Sequence, residues 1–197
     1  MEAKDPTPER LNAFSDGVIA VIITIMVLEL KPPHDASVAS LRELWPTFLS
    51  YVISFLFVGV VWVNHHHLFR YVERVCATVI WANLAFLFFV SLVPFVTAYL
   101  AENRLNAFTT ALYAGMCVLI TISFNFLQGT IVREFGDDQK LQALAHGAKR
   151  RNRLALLVYT LAIPVAYVQP YVSIAMISGV TVLYFFPDAA EKFAKEE

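Results

Sequence analysis

Charge is scarce in this chain. Asp, Glu, Lys and Arg make up 16% of its 197 residues, against 58% hydrophobic residues, and the mean hydropathy is +0.59. Cysteine is almost absent: Cys76 and Cys117 both lie in apolar segments and share no Cys-x-x-Cys spacing, so no disulfide framework is indicated. A net charge of −1 provides no bulk attraction to nucleic acid. There is no Gly-x-x-x-x-Gly-Lys loop to cradle a nucleotide phosphate, and no Thr-Val-Gly-Tyr-Gly segment to build a carbonyl filter. The polar N-terminus leads into an apolar run without a small-residue cleavage site, so the first helix is expected to stay in the mature protein.

The chain does hold apolar runs approaching the ~20 residues needed to cross a hydrocarbon core. The sequence predicts a multi-pass, all-α membrane protein with one six-helix domain over residues 1–197. Six spans are predicted, at residues 11–30, 45–69, 76–100, 107–132, 154–168 and 171–186. Lys31-Pro32-Pro33 stops the first, and a short interfacial turn is expected at 37–44. Residues 133–153 form the longest polar stretch, expected as a cytoplasmic loop with a short amphipathic surface helix around Leu141, Leu144 and Ala145. A charged tail occupies 188–197. Pro94 and Pro164 are expected as tolerated kinks, and Tyr99, Tyr113, Tyr167 and Tyr171 as an interfacial aromatic belt.

Six spans put both termini on one side together with the loops after spans two and four. That side carries Lys4, Arg10, Arg70, Arg74, Arg133, Lys140, Lys149, Arg150, Arg151, Arg153, Lys192 and Lys195, twelve of the fifteen basic residues. The other side carries only Lys31, Arg42 and Arg104. The positive-inside rule therefore predicts cytoplasmic termini. The basic run at 149–153 reads as an orientation signal beside lipid headgroups and not as a nucleic-acid patch.

Arg10-Leu-Asn-Ala-Phe14-Ser15-Asp16 runs directly into the apolar stretch from Gly17 to Leu28. Ionisable groups at the mouth of a spanning helix are costly and usually face a bundle interior or a permeation path. At about 100° per residue, Gly17, Val21, Thr24 and Leu28 fall within a sector of about 60°, with Ser15 nearly opposite. The stripe is either ordinary close packing or the wall of a pore whose aliphatic rings gate by dewetting. Glu29, at the outer end, is either part of an anionic ring at the mouth or a solvated cap.

Span two ends in Trp62-Val-Asn64-His65-His66-His67. Adjacent helical residues diverge by about 100°, so these rings do not converge on one ion, and no metal or other cofactor is expected. A hydrogen-bond network is expected instead, joining Arg10, Ser15 and Asp16 to Asn64, His65, His66 and Asn83, with Asp16 paired to Arg10, a histidine or Asn64.

Arg10-x-x-x-Phe14-Ser15-Asp16-Gly17 and its apolar continuation resemble the signature of the lysosomal-type potassium channels called the transmembrane protein 175 family. The Trp62-x-Asn64-His65-His66 and Asn83…Ser91-x-x-Pro94-Phe95 segments are similar to that family as well, and the resemblance covers the whole chain. One copy of the motif resembles the single-repeat prokaryotic branch. The resemblance implies a homotetramer in the plasma membrane around a central pore lined by helix 1. It places the constriction at Val21 and further pore positions at Thr24 and Leu28, and it makes the Phe14-Ser15-Asp16 motif a structural knit within and between subunits. Potassium is the implied permeant ion, with other monovalent cations besides. Val21 departs from the isoleucine or leucine usual at its place, which implies a wider constriction.

Other functions fit the sequence less well than a channel. A proton-coupled secondary transporter or other carrier wants broken helices and midplane carboxylates, yet Asp16 and Glu29 sit near the ends of the first span. A histidine-dependent membrane enzyme lacks a Ser-His-Asp set or paired carboxylates. A purely structural assembly protein would keep its pore occluded.

Overall fold

The computed structural model describes residues 7–33, 35–135 and 139–184. Every regular element among them is helical. Helix α1 (Pro8–Met26) places its proline in the first turn, where no N–H is needed, and tightens into a 3-10 turn at Val27–Glu29. A short helix α2 (Val38–Glu43) follows, its first turn capped by Ser37 Oγ, which accepts from the Ser40 N–H at 3.1 Å. Helix α3 (Trp45–Phe69) is a single 25-residue rod. The third predicted span is divided into α4 (Ala77–Ser91) and α5 (Val93–Glu102). The break at Leu92 follows from Pro94, whose ring cannot continue the upstream hydrogen-bond ladder.

A turn with left-handed φ at Arg104 and Leu105 leads into α6 (Ala107–Phe135). Leu105 is buried and its N–H donates to the Leu100 carbonyl at 3.0 Å, while Asn106 Oδ1 caps α6 by accepting from the Thr109 N–H at 2.9 Å. Helix α7 (Gln139–Val168) and α8 (Pro170–Leu183) complete the described chain.

Two expectations need correction. The described residues of the polar stretch 133–153 are helical throughout and not a loop with one short surface helix: α6 runs to Phe135, and α7 begins at Gln139 and continues unbroken through Pro164 to Val168. Leu141, Ala148, Asn152, Ala155 and Tyr159 are buried at helical spacing, so one face packs continuously and no break separates a surface helix from a span. Asp137, Asp138 and the tail at 188–197 lie outside the described residues. Tyr113 is not an interfacial tyrosine: it is buried on α6, and its hydroxyl bonds Ser54 Oγ on α3 at 2.9 Å. Ser54 in turn bonds Thr97 Oγ1 on α5 at 2.8 Å. The hydroxyls satisfy one another, so the ring needs no headgroup partner.

Four helical segments are long and apolar enough to cross a membrane by length and composition: Pro8–Glu29, Trp45–Phe69, Ala77–Glu102 and Ala107–Phe135. The C-terminal half of α7 and the 14-residue α8 are shorter apolar stretches. Helix α6 is central, packing against α4, α5, α7 and α8, while α1 packs on α3, α4 and α5. The chain is thus a multi-pass helical membrane protein in which α1 lies at one margin of the bundle.

Candidate functional site: one face of the first helix and its polar anchor

Helix α1 has two faces of different fate. Leu11, Ser15, Ile19, Ile22 and Met26 are buried against the bundle. Gly17, Val21, Thr24 and Leu28 all lie on the opposite, exposed side, with Val21 54% and Leu28 71% exposed. The Thr24 hydroxyl donates back to its own helix, lying 2.9 Å from the Val21 carbonyl and 3.1 Å from that of Ala20. With its proton so engaged, Oγ1 presents only lone pairs outward, which suits a cation better than an anion. Glu29 closes the same helix in the 3-10 turn and is half-buried.

Ser15 anchors the rear face. Its hydroxyl donates to the Leu11 carbonyl at 2.9 Å, so its oxygen must accept from elsewhere. Asn83 Nδ2 on α4 supplies that bond at 2.8 Å. The amide orientation is thereby fixed, and Asn83 Oδ1 faces His65 Nε2 on α3 at 2.8 Å. The His65 tautomer with the proton on Nε2 follows, because Oδ1 can only accept. All three side chains are completely buried. The His65 ring stacks on Phe69 (4.1 Å between centroids) and on Phe86 (5.6 Å). This directed line ties α3, α4 and α1 together and sets the rotation of α1 about its own axis.

Asp16 does not join that line. Its Oδ1 accepts from Trp62 Nε1 at 2.8 Å and its Oδ2 from Asn12 Nδ2 at 3.3 Å. Among the described residues of one subunit, Asp16 forms no hydrogen bond or ion pair with Arg10, a histidine or Asn64, the partners expected from the sequence. Indole and carboxylamide N–H groups meet the carboxylate instead, and Arg10 is exposed. Phe14 is likewise outside the network, 50% exposed beside the stripe. His66 packs against Trp62, with centroids 5.6 Å apart, and the rings of His66 and His67 are tilted by 53° with centroids 6.4 Å apart.

Asn64 belongs to a second cluster. Its Oδ1 accepts from Arg151 Nη2 at 3.4 Å, and the Arg151 guanidinium lies over the Tyr184 ring, 4.8 Å from the centroid. Tyr184 donates to Asn152 Oδ1 at 3.0 Å, and Asn152 Nδ2 donates to Asn125 Oδ1 at 2.7 Å and to Gln128 Oε1 at 3.2 Å. Sequence reasoning did not single out Asn12, Asn125, Gln128 or Asn152. The pair Asn125 and Gln128, three apart near the end of an apolar span, was the available signal.

Residues 10–94 match the family described as endosomal/lysosomal potassium channel TMEM175. The chain is 40% identical over 191 residues to a potassium channel of Chryseobacterium sp., covering 96% of this chain and 99% of that one. A potassium channel of Streptomyces collinus is 36% identical over 187 residues, 89% of this chain and 90% of that protein. The fold is similar to the crystal structure of a lysosomal potassium-selective channel TMEM175 homolog from Chamaesiphon minutus, with a TM-score of 0.79 at 31% identity over 90% of this chain and 95% of that one. The chain therefore belongs to the TMEM175 family of endosomal/lysosomal potassium channels.

Proposed function

We propose that this protein is a potassium-permeable cation channel of the plasma membrane. Four subunits of six crossings each, with cytoplasmic termini, surround one pore lined by the exposed face of α1. One observation carries the reading. The stripe Gly17, Val21, Thr24 and Leu28 is left uncovered by its own subunit, while the opposite face is locked in place through Ser15, Asn83 and His65. A helix held rigidly with a small, apolar, single-hydroxyl face outward is suited to meet its copies around an axis. The relatives named above are ion channels, two of them named potassium channels and the third described as potassium-selective, which favours permeation over catalysis.

Val21 would form the constriction. Ions would pass it partly dehydrated, with Thr24 hydroxyl oxygens offering partial compensation and Glu29 enriching cations at the outer mouth. Selectivity arising from apolar rings is modest beside that of a carbonyl filter, so other monovalent cations are expected to pass as well. Flux through reconstituted protein tests the assignment. Val21→Trp places a bulky ring at the constriction and should abolish potassium flux in protein that assembles like wild type. Wild-type flux from that variant contradicts the pore wall, and a single-molecule current no greater than carrier turnover contradicts the channel.

A further inference from the structure

The basic run on α7 is split by the helix into two roles. Arg151 turns inward to Asn64 and Tyr184, whereas Lys149, Arg150 and Arg153 are exposed. At about 100° per residue these three fall within a sector of about 100°, opposite the buried Ala148, Asn152 and Ala155. Arg153 Nε donates back to the Lys149 carbonyl at 3.4 Å, which holds its guanidinium one turn toward the lysine and concentrates the positive charge. No carboxylate among the described residues pairs with Lys149, Arg150 or Arg153; the ion pair there is Arg133 with Glu134.

Directly below, on the same face, come Leu157 and Leu161, each about half exposed, at one and two turns from Arg153. The face therefore changes from cationic to apolar along its axis at the point where α7 enters its apolar half. Cations with no carboxylate partner among the described residues, and an apolar stripe in register, match one occupant: an anionic phospholipid, with its phosphate against the basic side chains and an acyl chain along the leucines.

We propose that the outer face of α7, formed by Lys149, Arg150 and Arg153 above Leu157 and Leu161, is a binding site for an anionic phospholipid. The site is independent of the pore assignment, since it is read by binding and not by flux. An orientation signal would need only the charges. A lipid site needs the charges and the stripe together.

The test is native mass spectrometry of the purified full-length protein in detergent, titrated with dioleoyl-phosphatidylglycerol and with dioleoyl-phosphatidylcholine. Wild type should prefer the anionic lipid about tenfold or more, and the triple variant Lys149→Gln, Arg150→Gln, Arg153→Gln should lose that preference while eluting as wild type does. Should the triple variant not fold, Arg153→Gln alone should weaken anionic-lipid binding about fivefold, the value of one cation near a charged headgroup. Glycerol phosphate, the headgroup without chains, should not compete, and Leu157→Gln should weaken binding with all three cations intact. The proposal is overturned if the charge variants keep the preference. It is also overturned if Arg70→Gln with Arg74→Gln abolishes binding equally, or if glycerol phosphate competes as well as the lipid, which would mark a site for soluble anions.

Discussion

Asn83 donates to Ser15 Oγ at 2.8 Å, reaching from α4 to the rear of α1, and the same amide accepts from His65 through its oxygen. Since Ser15 and the stripe at Val21 lie on opposite sides of one helix, this bond governs which way the stripe faces. Asn83→Ala orphans the His65 Nε2–H and removes a bond from Ser15, whereas Ser15→Ala orphans only the Asn83 N–H. Asn83→Ala should therefore cost about 1–2 kcal/mol and Ser15→Ala less. Thermal unfolding of the detergent-solubilised protein measures the difference. Equal losses would place the energy outside this line.

The Trp62–Asp16 bond lies at the margin of the subunit, with Trp62 40% exposed. Trp62→Phe keeps an aromatic side chain but removes the indole N–H donor together with the pyrrole part of the ring. Together with Asp16→Asn and Arg10→Ala, it should lower the fraction of assembled protein in size-exclusion chromatography before it alters ion preference. A fully assembled variant with a changed potassium-to-sodium ratio would give these residues a direct part in selection.

The helical, membrane-length character of the bundle was largely legible in the sequence, because apolar runs of that length are a strong signal. Ser15, Asn83 and His65 stood among the expected network residues, but Arg10, Asp16, Asn64 and His66 lie outside their line: spacing reveals which residues share a level, and only coordinates reveal which atoms meet. Asp16 turned to Trp62 and Asn12 because indole and amide N–H groups lie within reach of its helical position, a choice made by side-chain geometry across two helices. The 133–153 stretch misled because its polarity reads as loop, while its buried positions, Leu141, Ala148 and Asn152, recur at helical spacing over a longer distance. Tyr113 misled because its partner, Ser54, is 59 residues away.

Tyr113→Phe deletes a hydroxyl that Ser54 meets in the core. A loss of about 1 kcal/mol in thermal stability with unchanged flux is expected. A change in permeability would connect this buried cluster to the pore.

Glu29→Gln should reduce inward cation flux at ~0.01 M salt and leave it nearly unaltered at ~1 M, where the screening length falls from about 30 Å to about 3 Å. Flux that is the same for both proteins at low salt would make Glu29 a solvated cap.

The central claim is that water, and not lipid, meets the exposed face of α1. After replacement of the native Cys76 and Cys117 by alanine, single cysteines are introduced at Val21, Thr24 and Leu28, and at the buried Ile22 as control. A membrane-impermeant, positively charged thiol reagent is then applied during potassium flux. Reaction with progressive block at 21, 24 and 28, and none at 22, is the predicted result. Assembled, conducting protein that is untouched at Val21 and Thr24 would put the stripe in lipid or in a packed seam and contradict the pore.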